Sequence, residues 1–423
     1  MTVSENRLSR RSLLKRAGLA AAAVGFGGGI ALGRLGQNGD TGLDYLPGFN
    51  DDFIDYSVSS FADATMAKVR ACGGRCVRTG VDWGHVQPDG PESYDWSAFA
   101  KLRSEARRAG VEVLPTIGGC PEWAGPVMTA GRRDWPGSPY PPGHFRTCSP
   151  AHDDDFGRFA DAAIRYFDEN AVSDGPAAIS AVEITNEPNT WTFGAVPAAR
   201  ISDLANAAVR QVGESQSAGS YSRPMRVVSG GLAPVSALGP GNPAGYPARQ
   251  SWQEYLAELV GTAPPEFDVG FHSYELSKPP AGTLSMPEDN PVEPYARARE
   301  FAVWQAAQIV GLIDQALEIT GQDIWVTETG ASSASTWSRD IFSPEYRFAH
   351  GQEIQAEVLS GVANALKARK RCRAMLVHRL FSDEVAEPPP SENRDSAYYQ
   401  YGVYDSTNGR PKLAVAALAQ TWS

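Results

Sequence analysis

The sequence is short of the residues from which metal and nucleotide sites are built. Its five cysteines (Cys72, Cys76, Cys120, Cys148 and Cys372) follow no metal-ligand spacing, and its six histidines show neither an HExxH motif nor a paired-ligand pattern. No metal and no cofactor are therefore expected. No glycine-rich nucleotide turn follows the first strand-like run, which argues against a dinucleotide fold. Positive charge is scarce as well: 38 Lys and Arg face 49 Asp and Glu, the net charge is −11, and no basic stripe is present. That balance argues against a nucleic-acid partner. Low-complexity tracts, internal linkers and membrane spans are missing too, apart from one apolar run near the N-terminus.

That run follows Ser9-Arg10-Arg11-Ser12-Leu13-Leu14-Lys15 and extends, rich in Ala and Gly, from Ala17 to Leu32. Paired arginines, a leucine pair and a lysine ahead of a weakly hydrophobic segment match a twin-arginine export signal. Residues 1–33 are read as that signal and 34–423 as a single domain. An ordinary secretory signal with coincidental arginines is the alternative. Either reading expects a secreted or cell-envelope protein that meets the membrane only through its signal. Residues 1–33 carry five basic groups and one acidic group, so their removal takes the net charge to −15. Disulfides are permitted in an exported protein. Cys120 and Cys148 bracket one long loop and are the expected pair, while Cys372 is expected as a buried free thiol.

The chain contains 423 residues, 42% hydrophobic and 21% charged, which suffices for a large core and suits a barrel with insertions. A monomer is expected. From about Asp40, strand-like and helical runs alternate. Strands are expected at Leu46–Phe53, Arg75–Val81, Val111–Ile117, Ile179–Ile184, Met225–Ser229, Phe267–Phe271, Ile324–Thr327 and Ala374–Leu380. Helices are expected at Phe61–Ala71, Trp96–Ala109 (stopped by Gly110), Asp153–Asn170, Pro197–Ser215, Ser251–Val260, Tyr295–Thr320, Glu345–Ala368 and Leu413–Gln420. This order predicts the α/β class and a (β/α)8 TIM barrel, with a doubly wound open sheet as runner-up.

The fourth strand runs into Asn186-Glu187-Pro188. Proline cannot donate to a sheet ladder and pushes the residue before it out of helix, so the strand ends there. Glu187 is left at the carboxyl end of a core strand, where barrels carry their chemistry. Glu328 ends the seventh strand in the same way, within Asp323-Ile-Trp-Val-Thr-Glu-Thr-Gly330. Strands four and seven lie across the barrel from each other, so the two carboxylates face one cleft. Glycosidic bond cleavage needs such a pair, one protonated to supply the leaving oxygen and one ionised. Arg78, at the end of strand two, and the hydroxyl of Tyr274, at the end of strand six, are placed to keep Glu328 anionic. Glu187 has no evident cation beside it in sequence, so an ionised neighbour should raise its pKa.

Asn186-Glu187-Pro188-Asn189 after a strand, with Glu328-Thr329-Gly330 on the seventh, resembles clan A of the glycoside hydrolases. Val77-Arg78-Thr79 through Trp83-Gly84-His85-Val86-Gln87-Pro88, then Tyr94-Asp95-Trp96, Pro121-Glu122-Trp123-Ala124 and Tyr401-Gly402-Val403-Tyr404 with Pro411-Lys412, extend the likeness over nearly all of the mature chain. Within the clan the sequence is most similar to the β-xylosidase-like family 39 and neighbouring cellulase-like families. The resemblance implies a retaining β-glycoside hydrolase working by double displacement on a carbohydrate substrate. Glu187 would then be the acid/base, Glu328 the nucleophile, and Asn186 the partner of the 2-hydroxyl of the sugar being cleaved.

Arg78, Asn186, His272, Tyr274, Trp83, Trp123 and Trp191 form the expected substrate-binding set. Structural roles compete for several of them. Arg78 can also pair with the deeper Glu183. His272 is either a sugar-binding or proton-relay residue or a histidine satisfied by backbone, and His85 and Trp83 either line the cleft or pack under it. Trp123, Trp135 and Trp191, on mouth-side loops, are better placed as sugar platforms than Trp304 or Trp422. The sequence departs from the clan at strand eight, where a Trp usually floors the cleaved sugar. Here the strand reads Leu376-Val377-His378-Arg379-Leu380-Phe381, which leaves His378 or Phe381 as the substitute. A non-catalytic carbohydrate-binding barrel and a transglycosylase are the competing functions; binding alone needs no paired carboxylates.

Overall fold

Each run expected as a strand pairs in parallel with its sequence neighbour, and the eighth closes onto the first. A computed structural model describes residues 45–51, 62–126, 147–168, 179–190, 193, 196–234, 250–274, 294–333, 336–337, 346–347, 351–382, 401–405 and 409–423. Residues 1–33, read from the sequence as an export signal, lie outside the described residues, as do Trp135 and Trp191. The barrel strands are β1 (Leu46–Asn50), β2 (Cys76–Asp82), β3 (Glu112–Gly118), β4 (Ala181–Ile184), β5 (Arg226–Ser229), β6 (Phe267–Ser273), β7 (Ile324–Thr329) and β8 (Cys372–His378). Helices α1 (Ala62–Ala71), α2 (Ala100–Ala109), α3 (Asp153–Asp168), α4 (Ala198–Ser217), α5 (Trp252–Thr262), α6 (Pro294–Ile319), α7 (Gly351–Lys367) and α8 (Leu413–Trp422) alternate with them. The fold is a closed (β/α)8 barrel.

Local signals set the helix ends. Gly110 stops α2 in the left-handed conformation at φ 64°, which a residue without Cβ adopts at no steric cost. Ser251 and Glu254 form a reciprocal capping box at the start of α5. Asp153, Asp154 and Asp155 place negative charge on the first turn of α3, where the helix dipole favours it.

Alternation along the strands divides the core into two layers. Leu46, Cys76, Leu114, Ala181, Val228, Trp325, Ala374 and Leu376 form the smaller cluster, which fills the barrel. The larger cluster, with Phe159, Phe167, Phe271 and Val362 among its members, packs strands against helices. Cys372 is buried, and burial pushes its thiol up to about 12.

Two expectations need correction. The helix expected from Glu345 begins at Gly351, because Tyr346–Arg347 pairs with Thr336–Trp337 as a short antiparallel ladder. No disulfide joins Cys120 to Cys148. Arg200 on α4 faces Cys148 instead, donating to its carbonyl at 2.9 Å and approaching its sulfur at 3.4 Å. Cys120 Sγ sits 3.4 Å from the Pro121 carbonyl. No helix among the described residues is long and apolar enough to cross a membrane.

Candidate active site

The site rises from a buried ion pair. Glu183 on β4 is fully buried, and an unpaired carboxylate there would be costly. It accepts from Arg78 Nε on β2, from Thr116 Oγ1 at 2.6 Å and from the Gly231 amide at 2.9 Å. With its Nε held on Glu183, the Arg78 guanidinium can reach three further groups. It donates to Asn50 Oδ1 at 2.7 Å, Asn186 Oδ1 at 2.7 Å and Glu328 Oε1 at 2.9 Å. Arg78 therefore fills both roles read from the sequence, as structural partner of Glu183 and as cation beside Glu328.

Glu328 faces the cleft because of an irregularity in β7. Strand parity from inward-facing Trp325 would turn Thr327 inward and Glu328 outward. The β6–β7 register steps from Phe271–Val326 to His272–Glu328, so one extra residue, Thr327, is absorbed there. Glu328 Oε2 then accepts from the Tyr274 hydroxyl at 3.0 Å. Guanidinium and phenol together provide the donors that a carboxylate anion requires.

Glu187 has different surroundings. After β4 the backbone turns through left-handed conformations at Thr185 (φ 68°) and Glu187 (φ 39°). These cost about 1–3 kcal/mol each for residues with a side chain, most of all for β-branched Thr. Neighbouring contacts hold the turn. Asn189 accepts from the Ala233 amide and donates to the Ala233 carbonyl, and Val196 N donates to the Pro188 carbonyl. Gly230 lets the turn approach, since a Cβ there would stand 2.5 Å from Thr185 Oγ1.

Burial pushes the Glu187 carboxyl up to about 7, against the opposing pull of Arg78. Its Oε1 lies 2.8 Å from His272 Nδ1. Burial lowers the pKa of His272 to about 4, so the imidazole is neutral near pH 7. A neutral ring donates from Nδ1 to an ionised Glu187 or accepts there from a protonated one. His272 Nε2 stands 3.5 Å from Glu328 Oε1, which places the ring between the two carboxylates. Gly231 makes room for that ring: a Cβ there would fall 2.0 Å from Nε2.

Oxygens of Glu187 and Glu328 and a nitrogen of His272 lie within 4.8 Å of one another. That spacing would admit a cation, but the Arg78 guanidinium already supplies the local positive charge. The cleft has a volume of about 640 Å³, and its lining includes Asn50, Arg78, His85, Asn186, Glu187, Glu328, His378 and Arg379.

The structure thus brings together Glu187, Glu328, Arg78, Asn186, His272 and Tyr274. It does not bring Trp83 to the cleft. That ring is fully buried, stacked on Phe159 and edge-on to Phe156 and Trp123, with Nε1 donating to Gln87. The expectation that Trp83 binds substrate is corrected, because a ring enclosed by three aromatic side chains offers no face to a sugar. Trp123 is half-buried, and its Nε1–H is spent on the Gln87 carbonyl. Of the two substitutes considered at strand eight, Phe381 is buried against Tyr404 and His378 lines the cleft. The His378 ring lies beside Tyr274 and Tyr401 and 3.3 Å from Asn50 Nδ2.

Sequence reasoning missed Asn50, which connects Arg78 to His378. The expected first strand ran on to Phe53 and left Asn50 in mid-strand, so nothing in the sequence marked it, whereas β1 ends at Asn50. Gly231 was missed too, since its role depends on the ring of His272, distant in sequence.

No family model and no curated protein matches this sequence. Solved structures do match in fold. A family 39 glycoside hydrolase from the gut symbiont Bacteroides cellulosilyticus is similar at 16% identity and TM-score 0.51, over 92% of this chain and 65% of that one. This chain therefore spans just under two thirds of that protein's length. The GH5_18 protein of Streptomyces cattleya, solved in complex with GlcNAc, is similar at 13% identity and TM-score 0.54, over 90% of this chain and 80% of that one. An exo-β-1,4-mannosidase from an Opitutaceae bacterium is similar at 13% identity and TM-score 0.50, over 89% of this chain and 59% of that one. This chain shares its barrel fold with glycoside hydrolases of families 39 and 5.

Proposed function

We propose that this chain is a retaining β-glycoside hydrolase that cleaves a poly- or oligosaccharide by double displacement. The observation that carries the reading is the pair Glu187 and Glu328, with oxygens within 4.8 Å and opposite surroundings. Retaining enzymes hold their two carboxyl groups about 5–5.5 Å apart, and an oxygen-to-oxygen approach within 4.8 Å is compatible with that separation. Glu187, raised to about 7, holds a proton near neutrality and passes it to the leaving oxygen. Glu328 attacks the anomeric carbon as the bond to that oxygen breaks, giving a glycosyl ester. Water then attacks the ester, Glu187 takes its proton, and the sugar leaves with retained configuration. Arg78 holds Asn186 with its amide oxygen fixed, leaving the amide nitrogen to donate to the sugar.

Azide tests the assignment. Glu328→Ala should abolish turnover and be rescued by azide with an inverted glycosyl azide, because the anion enters where the nucleophile stood. Glu187→Ala should still form the ester from activated aryl glycosides and be rescued with retained configuration. Swapped stereochemistry would reverse the two roles, and an inverted product from the unaltered enzyme would remove the retaining mechanism.

The export reading is part of the proposal. It is supported by Arg10-Arg11 ahead of the apolar run. Arg10→Lys combined with Arg11→Lys should keep the protein inside the cell, and continued export of that double variant would refute it.

A further inference from the structure

Two polar atoms beside the acid are buried without a hydrogen-bond partner among the described residues: His272 Nε2 on β6 and Thr327 Oγ1 on β7. Both residues are fully buried. The two atoms are neighbours, since Nε2 stands 2.0 Å and Oγ1 2.7 Å from the point where a Cβ on Gly231 would lie. The register step that turns Glu328 into the cleft also brings them together. Thr327 falls between the pairs Phe271–Val326 and His272–Glu328, which leaves its side chain beside the ring. Buried hydroxyls and ring nitrogens rarely go unpaired, and each of these two is what the other needs.

Chemistry fixes the direction of the bond. If Nε2 carried the ring proton and donated to Oγ1, the hydroxyl hydrogen of Thr327 would be left buried with no acceptor among the described residues. If the hydroxyl donates to a lone pair on Nε2, only oxygen lone pairs stay unfilled, which costs less. The neutral ring then carries its proton on Nδ1, which lies 2.8 Å from Glu187 Oε1.

We propose that the Thr327 hydroxyl donates to His272 Nε2 and, by holding the ring proton on Nδ1, positions the proton of the acid. Nδ1–H occupies Glu187 Oε1, so the carboxyl's own proton is left on Oε2, where it can pass to the leaving oxygen. In the opposite tautomer Nδ1 is a lone pair that accepts the acid's proton from Oε1 and withholds it from the substrate. Thr327 is thus a positioning residue, acting on Glu187 through the ring. The charged and titratable groups around that ring are Glu187, Glu183, Arg78, Glu328 and His378. The catalytic consequence rests on the glycosidase reading, whereas the tautomer does not depend on it.

The test removes the hydroxyl. Thr327→Val keeps the β-branched shape without it, and Thr327→Ser keeps the hydroxyl. Circular dichroism and melting check that both fold. In Thr327→Val, Glu328 Oε1 at 3.5 Å is left to draw the ring proton to Nε2. Long-range proton–nitrogen NMR of isotope-labelled histidines reads the tautomer at about pH 6, where Glu187 holds its proton, with His272 assigned by its loss in His272→Gln. The unaltered protein and Thr327→Ser should carry the proton on Nδ1, and Thr327→Val on Nε2. A proton on Nε2 in the unaltered protein, or one that stays on Nδ1 in Thr327→Val, overturns the proposal.

Kinetics on phenyl and dinitrophenyl β-glycosides of the sugar that is cleaved test the consequence. Phenol needs a proton to leave, and dinitrophenol does not. In Thr327→Val, kcat/KM for the phenyl glycoside should fall at least about tenfold while that for the dinitrophenyl glycoside stays within about threefold. Thr327→Ser should restore the phenyl glycoside to within about threefold of the unaltered enzyme. Equal losses on both substrates, or no loss on the phenyl glycoside, refute the positioning role. If no sugar is cleaved, the hydrolase reading fails separately, and the tautomer still decides the contact.

Discussion

Replacing Glu187 with Gln should stabilise the protein at alkaline pH and leave it unchanged at acid pH. In the folded chain the carboxyl is raised from 4.5 to about 7. Below about pH 4.5 both folded and unfolded chains hold the proton, and the group contributes nothing. Between about pH 4.5 and 7 the unfolded chain loses its proton while the folded one keeps it, so stability falls as pH rises. Above the folded value the penalty is complete. At 1.36 kcal/mol per pKa unit it amounts to about 3 kcal/mol. The side chain is 19% exposed, so solvent screening removes only a small part of that figure.

A glutamine is neutral at every pH and can hydrogen-bond to His272 Nδ1 as the protonated acid does. The two proteins should therefore unfold alike near about pH 4.5 and differ by about 3 kcal/mol near about pH 8 to 9, with the variant more stable. Urea denaturation of both across that range measures the difference. Other titrating groups cancel in it, including Lys412, which burial lowers to about 8. The same ionisation should bring down kcat/KM of the unaltered enzyme above about pH 7 as the acid loses its proton. A stability difference that stays flat with pH would refute the burial argument for Glu187, and with it the explanation of why this carboxyl is the acid.

Two further outcomes follow from the packing. Gly231→Ala should push the His272 ring off Glu187, because the new methyl would fall 2.0 Å from Nε2 and 2.7 Å from Thr327 Oγ1. A displacement of that order costs about a hundredfold in kcat, and steady-state kinetics on a folded sample would show it; unchanged kcat would mean that the ring position does not matter. Arg78→Met should leave Glu183 buried without its cation and cost about 3–5 kcal/mol in stability. Denaturant unfolding measures that loss, and a cost under about 1 kcal/mol would show that Thr116 and the Gly231 amide suffice for Glu183.

The barrel was legible because its signals are local. Strand runs ended by Pro or Gly, and helices with amphipathic spacing and stops such as Gly110, need no knowledge of distant chain. Glu187 and Glu328 were legible for the same reason, each standing where an apolar run stops. Arg78 and Tyr274 followed from their places at the ends of strands two and six. The helix expected from Glu345 was set too early because pairing with Thr336–Trp337 claims Tyr346–Arg347 as strand, a contact between separate segments.

What the sequence by itself determined was the order of strands and helices, the closure of eight units into a barrel and the two carboxylates at its mouth. These depend on residue type and spacing along the chain. The tertiary structure alone decided which way those residues face and what surrounds them. The register shift at Thr327 turns Glu328 inward against simple alternation. Aromatic packing takes Trp83 out of reach of any substrate. Burial beside a neutral His272, rather than sequence neighbours, raises the Glu187 carboxyl. Desolvation and side-chain direction depend on every element packed around a residue, and that information is distributed over the whole chain.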